Sequence, residues 1–198
     1  MKAYYHARAP EYDDWWLGTG GFADVERPGW HEEREVLARV LAALPPVRML
    51  DVACGTGMLT QHLPGERVGV DQSDAMLEHA RQRVPTATFV TGDALDLPFE
   101  DGSFDRVFSS FFYCHLEEED RLRFLVEARR VARELVVVGA CRRDGWPSAE
   151  WQERRLADGS RWQVFKRRFD PDALADELGG GRLLHVGHYF VVVQSPRA

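Results

Sequence analysis

Arg48-Met49-Leu50-Asp51-Val52-Ala53-Cys54-Gly55-Thr56-Gly57 decides the fold. Its first six residues are mainly apolar and read as a buried strand, Arg48 to Ala53. Gly55 and Gly57 then supply a tight turn, because glycine adopts positive φ and lets backbone approach a ligand closely. Downstream the pattern repeats. Met58 to Leu63 reads as a short helix ended by Pro64, and Arg67 to Asp71 as a second strand. Ser73 can cap a helix carrying Met76, Leu77, Ala80 and Val84 on one side. Ala87 to Thr91 and Phe104 to Ser110 read as strands three and four, and Glu134 to Ala140 as the fifth. Between the last two, Glu117 to Arg133 reads as a helix with Leu122, Leu125, Val126 and Val131 inward. Strands alternating with helices predict a mostly parallel sheet covered on both faces. Right-handed crossovers make it doubly wound, with ligands bound beyond the carboxyl ends of the strands.

Outside this core the periodicity weakens. Residues 1–30 hold Tyr4, Tyr5, Tyr12, Trp15, Trp16, Phe22 and Trp30 among Gly and Asp, which suggests an arm packed over something. Residues 31–44 turn helical, with Val36, Leu37, Val40, Leu41 and Leu44 on one face, until Pro45-Pro46 stops them. Residues 141–170 break the alternation with Trp146, Trp151, Trp162, Phe165 and Phe169 among many arginines. They are expected to form a lid or substrate insertion with a short helix around 148–157. Pro171 to Leu178 reads as a helix ended by Gly179-Gly180-Gly181, and Arg182 to Val186 and Phe190 to Gln194 as two closing strands. The expectation is one domain over 1–198: arm and helix 1–44, ligand-binding core 45–140, insertion 141–170, closing elements 171–198.

Composition narrows the function. The chain has 198 residues and a formal net charge of -7, which argues against a nucleic-acid partner, whose phosphates demand Lys and Arg. Its three cysteines, Cys54, Cys114 and Cys141, have no CxxC spacing, so neither a disulfide framework nor a metal site is expected. The N-terminus lacks the apolar stretch of a signal peptide, and no apolar run approaches the roughly 20 residues of a membrane span. A cytoplasmic location is expected, as a monomer or a homodimer.

Three strand ends carry candidate ligand contacts. Asp51 precedes the glycine turn and can face a cationic amine. Asp71 ends the second strand, where a carboxylate can take both hydroxyls of a ribose. Asp93, in Gly92-Asp93-Ala94 after the third strand, can accept from an adenine amino group. The dinucleotide fingerprint GxGxxG fails because Thr60 holds the third glycine position, and no GxxxxGK[ST] loop is present. A ligand with an amine and without pyrophosphate fits better.

Taken together these residues resemble the class I S-adenosylmethionine-dependent methyltransferases, in particular the small single-domain, type 11-like group whose first motif reads Leu-Asp-x-x-Cys-Gly-Thr-Gly. The resemblance covers residues 45 to 140 well and the ends loosely. It implies a Rossmann-like seven-stranded α/β sheet with the last strand antiparallel. It further implies that Asp51, Ala53, Cys54, Gly55 and Gly57 hold the methionine part of S-adenosyl-L-methionine, whose spent form is S-adenosyl-L-homocysteine. Asp71 would bind the ribose, Gln72 would lie beside the adenine and Met76 against its ring, with Gly92, Asp93 and Ala94 at its edge. Ser109 would lie near the methionine. Tyr4-Tyr5-x-x-Arg8-Ala-x-x-Tyr12-Asp13 is similar to segments that fold over the cofactor. Tyr4 and Tyr12 would touch the sulfonium or substrate and Arg8 the carboxylate, although a simply packed arm explains the same residues.

Methyl transfer needs the acceptor held in line, and a base only if the acceptor must lose a proton. His115, on the loop after the fourth strand, is the candidate base, against a structural histidine as the plainer reading. His188 and Tyr189 read as a turn. Glu117, Glu118, Glu119 and Asp120 read as a solvated helix start, and Lys166-Arg167-Arg168 as surface. The Asn/Asp-Pro-Pro-Tyr motif of DNA amino-methyltransferases is missing after strand four. A small-molecule acceptor, apolar or aromatic, is therefore expected. A nucleotide-dependent oxidoreductase and a non-catalytic protein binding the same cofactor are the alternatives.

Overall fold

The alternation read in the sequence closes into one sheet in the computed structural model, which describes residues 1–197. Its strands are β1 (Val47–Val52), β2 (Gly65–Asp71), β3 (Thr88–Thr91), β4 (Phe104–Ser110), β5 (Ala132–Ala140), β8 (Arg182–Val186) and β9 (Phe190–Gln194). Their order is β3-β2-β1-β4-β5-β9-β8. The first five run parallel, and β9 lies antiparallel between β5 and β8. Strand order reverses between β1 and β4, the neighbours that start the two halves.

Both faces are covered, so successive strand residues enter different cores. Leu50, Val107 and Val137 pack with Phe124, Leu125, Ala128 and Val131 of α5 (Glu118–Val131) and with Leu174 of α6 (Pro171–Glu177). Their neighbours Met49, Phe108, Val136 and Val138 pack on the other face against Leu37 and Leu41 of α3 (Trp30–Ala42). The N-terminal aromatics join that second core: Trp16 stacks on Phe190 at 5.6 Å, and Trp30 meets Tyr189 edge-on at 4.9 Å. Glu33 of α3 accepts from the backbone N–H groups of Tyr189 (3.0 Å) and Phe190 (2.8 Å), tying α3 to the β8–β9 turn. Ser73 caps α4 (Asp74–Arg83) by accepting from Met76 N.

Three expectations need correction. Met58 to Leu63 forms only a 3-10 turn, Thr60–His62, in a segment too short for a stable helix before Pro64. On α5, Leu122 and Val126 are 60% and 66% exposed. Each lies two residues from Phe124, about 200° around the helix from the buried side. The helix expected at 148–157 is instead a hairpin, β6 (Ala149–Arg155) and β7 (Arg161–Arg167), pairing Trp151 with Phe165. Ala, Glu, Gln and Arg favour helix locally, but pairing across the hairpin overrides that preference. It forms its own two-stranded sheet, packed against α1 (Lys2–Arg8) through Tyr4, Leu156, Trp162 and Val164. No helix among the described residues is long and apolar enough to cross a membrane.

Candidate active site

The carboxyl ends of β1, β2, β3 and β4 open into a cavity of about 460 Å³. Ala53 (φ 57°) and Phe111 (φ 54°), the residues that follow β1 and β4, are the non-glycine residues with positive φ among those described. Both line the cavity. Such backbone costs about 1–3 kcal/mol and is retained where surrounding structure fixes it, commonly at ligand sites. Gly57 has φ 73°, and a Cβ there would lie 3.3 Å from Ala80 of α4, so the turn needs glycine to seat on that helix.

Asp71 organises the next loop. Its Oδ2 accepts from Gly55 N at 3.0 Å and its Oδ1 from Ser73 N at 2.9 Å. Burial pushes its carboxyl above the usual range, against the pull of those N–H groups. Asp51 is 1% exposed. Thr60 donates to its Oδ2 at 2.5 Å, while its Oδ1 has no partner among the described residues. Burial, the neighbouring Asp71 charge adding to it, raises its pKa to about 7 despite the Thr60 hydrogen bond.

Asp13 fastens the arm over this edge. It accepts from Thr56 Oγ1 and from Arg83 Nη2, both at 2.6 Å, while Arg83 Nη1 donates to Thr56 O at 2.6 Å. Tyr12 is thereby laid along Gly55, and Arg8 lies over the Tyr12 ring at 5.0 Å. Tyr5 sits 6.2 Å from Tyr12 and 6.4 Å from His115, centroid to centroid. His115 Nδ1 lies 2.6 Å from the carbonyl oxygen of Phe165. A carbonyl only accepts, so Nδ1 carries a proton, and in the neutral ring Nε2 is then the acceptor. Beneath it, Cys114 Sγ is 3.2 Å from Lys166 Nζ. Burial alone would raise that thiol, but Lys166 and His115 together bring it down to about 6.

Of the residues expected to form the site, Tyr12, Ala53, Gly55, Asp71, Gln72, Met76, Gly92, Asp93, Ala94 and His115 line this one cavity. Six do not. Tyr4 is buried behind the arm and accepts from Arg8 Nη1 at 2.9 Å. Asp51, Cys54 and Gly57 lie behind the turn, with Cys54 packed on Leu77, Ala80, Val84 and Phe89. Ser109 is fully buried and donates to Val52 O at 3.2 Å, and its neighbour Ser110 faces the cavity. Tyr5, Phe112, Trp151, Gln163 and Phe165, not among the residues expected to form the site itself, also line the cavity, as do Glu117 and Asp120 of the solvent-facing helix start. Lys166, Arg167 and Arg168 also differ from expectation. They engage Cys114, Glu177 and Glu150.

A parallel sheet reversing at β1 and β4, with an acid ending β2 and a cavity over the switch point, defines a Rossmann-like ligand-binding domain. Residues 50–136 match the methyltransferase domain family. Demethylmenaquinone methyltransferase of Thermotoga maritima is 37% identical over 105 residues, 50% of this chain and 45% of that protein. The 2-phytyl-1,4-naphtoquinone methyltransferase of Trichormus variabilis is 33% identical over 147 residues, 67% of this chain and 60% of that one. The chain thus matches less than half the length of the first of these relatives. Among solved structures, a DhpI complex with SAM and HEP overlays with TM-score 0.74 at 23% identity, covering 98% of this chain and 95% of that one. Magnesium protoporphyrin IX methyltransferase of Synechocystis, with SAH bound, gives 0.70 at 18% identity over 100% and 97% of the two chains. These two likenesses extend the shared fold beyond residue 140, through the hairpin and the closing strands.

Proposed function

We propose that this chain is an S-adenosylmethionine-dependent methyltransferase with a small-molecule acceptor, a single catalytic unit whose arm and hairpin build the acceptor side. The observation that carries the reading is the convergence of Ala53, Gly55, Asp71, Gln72 and Asp93, from three separate strand ends, on one cavity capped by Tyr12. The residues fit the donor. Asp71 is fixed by two backbone N–H groups and keeps lone pairs for a diol. Gln72, Met76 and Asp93 would take the adenine, and Ala53 and Gly55 the methionine part.

The bound donor supplies a methyl group on a positively charged sulfur. The protein's part is to orient the acceptor and exclude water, work for which the aromatic side of the cavity is suited. Where the acceptor carries a dissociable proton, His115 Nε2 is the base, its tautomer set by the Phe165 carbonyl. Three thiols without disulfide partners suit a reducing, cytoplasmic location.

Melting temperature with SAM, SAH and NAD(P) tests the proposal. Ligand at 100 times its dissociation constant adds about 2.7 kcal/mol, roughly 5–10 °C for a chain of this size. A rise with SAM and SAH alone is expected. A rise with NAD(P), or none with SAM and SAH, overturns the reading.

A further inference from the structure

Beyond the strand-end loops the cavity wall is aromatic and acidic. Tyr5, Phe112, Trp151 and Phe165 supply rings, and Glu117 and Asp120 supply carboxylates. Trp151 is 57% exposed, with its ring 5.7 Å from Phe165. No lysine or arginine among the described residues lines the cavity. The cations of the arm and hairpin are engaged elsewhere: Arg8 with the Tyr4 hydroxyl, Lys166 with Cys114, Arg154 with Gln152. Asp120 keeps only a loose, half-exposed pair with Arg123 at 3.5 Å, and Glu117 is exposed.

A wall of this kind discriminates by charge. An acceptor bearing a carboxylate or phosphate would meet no lysine or arginine on the wall and would face two carboxylates, both open to solvent, so the repulsion is modest and screened by salt. An ammonium meets both carboxylates and the faces of the rings, which attract cations by about 0.5–2 kcal/mol each.

Resting on the methyltransferase reading above, we propose that the acceptor is an amine carrying an aryl ring. It enters as the ammonium, with its ring against Trp151 and Phe165 and its charge toward Glu117 and Asp120. Transfer of one N–H proton to a carboxylate or to His115 Nε2 frees the nitrogen lone pair. That pair forms the N–C bond as the donor's S–C bond breaks, and the bonding pair stays on sulfur, which becomes a neutral thioether. The methylated ammonium leaves with its charge or passes a further proton to water.

The test is calorimetric titration of the SAH-saturated protein with 2-phenylethylamine, 2-phenylethanol and phenylacetate, one ring with an ammonium, a hydroxyl or a carboxylate. The ammonium should bind about tenfold tighter than the alcohol, and the carboxylate weakest. High salt should weaken only the ammonium. In the double variant Glu117→Gln, Asp120→Asn the ammonium and the alcohol should bind alike, the SAH-induced rise in melting temperature reporting that the variant is folded. Binding of phenylacetate as tight as the amine, an undiminished amine preference in the double variant, or no binding of the amine overturns the proposal. Failure of the donor reading shows separately, as absence of SAH binding before any probe is added.

Discussion

Two buried carboxylates set how single residues respond to change. Asp71 organises both Gly55 and Ser73, so Asp71→Asn keeps one acceptor and loses the other along with the charge. SAM affinity measured by calorimetry should fall about 10–100-fold, with a drop of only a few degrees in melting temperature. Asp51 is held at about 7 by burial, above the roughly 3.9 of an unfolded aspartate. Between those values the folded chain keeps a proton the unfolded chain has lost, so this residue makes stability fall as pH rises from about 4 to about 7. Denaturant melts across that range should show the slope, and Asp51→Asn should flatten it. These loop residues were legible in the sequence because glycine and acid at strand ends follow from backbone geometry. Asp51 and Ser109 were expected at the ligand and are buried away from the cavity instead, since strand ends do not show which of two adjacent side chains faces the opening.

At the scale of elements, the hairpin was the least legible part. Glu150 to Arg155 has helical propensities, and its strand character exists only through pairing with Arg161–Arg167. The inward side of α5 is Phe124, Leu125, Ala128 and Val131, so Leu125 and Val131 were legible while Phe124 and Ala128 take the places expected of Leu122 and Val126. Lys166 joins hairpin to core through Cys114, whose thiol sits at about 6 against about 8.5 in an unfolded chain. Between those values the unfolded chain holds the extra proton, so the pairing adds stability as pH rises through that window and loses it as pH falls through about 6. Lys166→Met should lower the melting temperature more at pH 8.5 than at pH 6. An equal loss at both would mean that the contact is packing alone. Trp151→Ala, at an exposed position, should leave the melting temperature within a degree or two and raise the KM of an acceptor severalfold with kcat little changed.

Over the whole molecule, the doubly wound sheet was legible from alternation alone, because a parallel sheet covered on both faces requires continuous apolar strands. What alternation did not reveal is the polar anchor inside it. Arg106 and Glu134, opposite each other on β4 and β5, form a buried ion pair. Arg106 also donates to Pro45 O at 3.0 Å, and Arg197 to Glu134 at 3.0 Å. Glu134→Gln leaves Arg106 buried without a counter-charge and should cost about 3–5 kcal/mol, lowering the melting temperature by roughly 10 °C or more. A change under about 1 kcal/mol would show that water reaches the guanidinium.

The place of β9 between β5 and β8 bears on how the chain is made. β5 is complete roughly fifty residues before β9, a delay of about 3–10 s at ordinary synthesis rates. During that time Leu135 to Val138 present an apolar edge with unpaired backbone groups, the surface on which nascent chains stick to one another. The hairpin and α6 are made within this interval, and Phe169 packs against Gly139 of β5. The segment proposed to build the acceptor side is therefore made, and can dock on β5 through Phe169, before the sheet's last partner emerges.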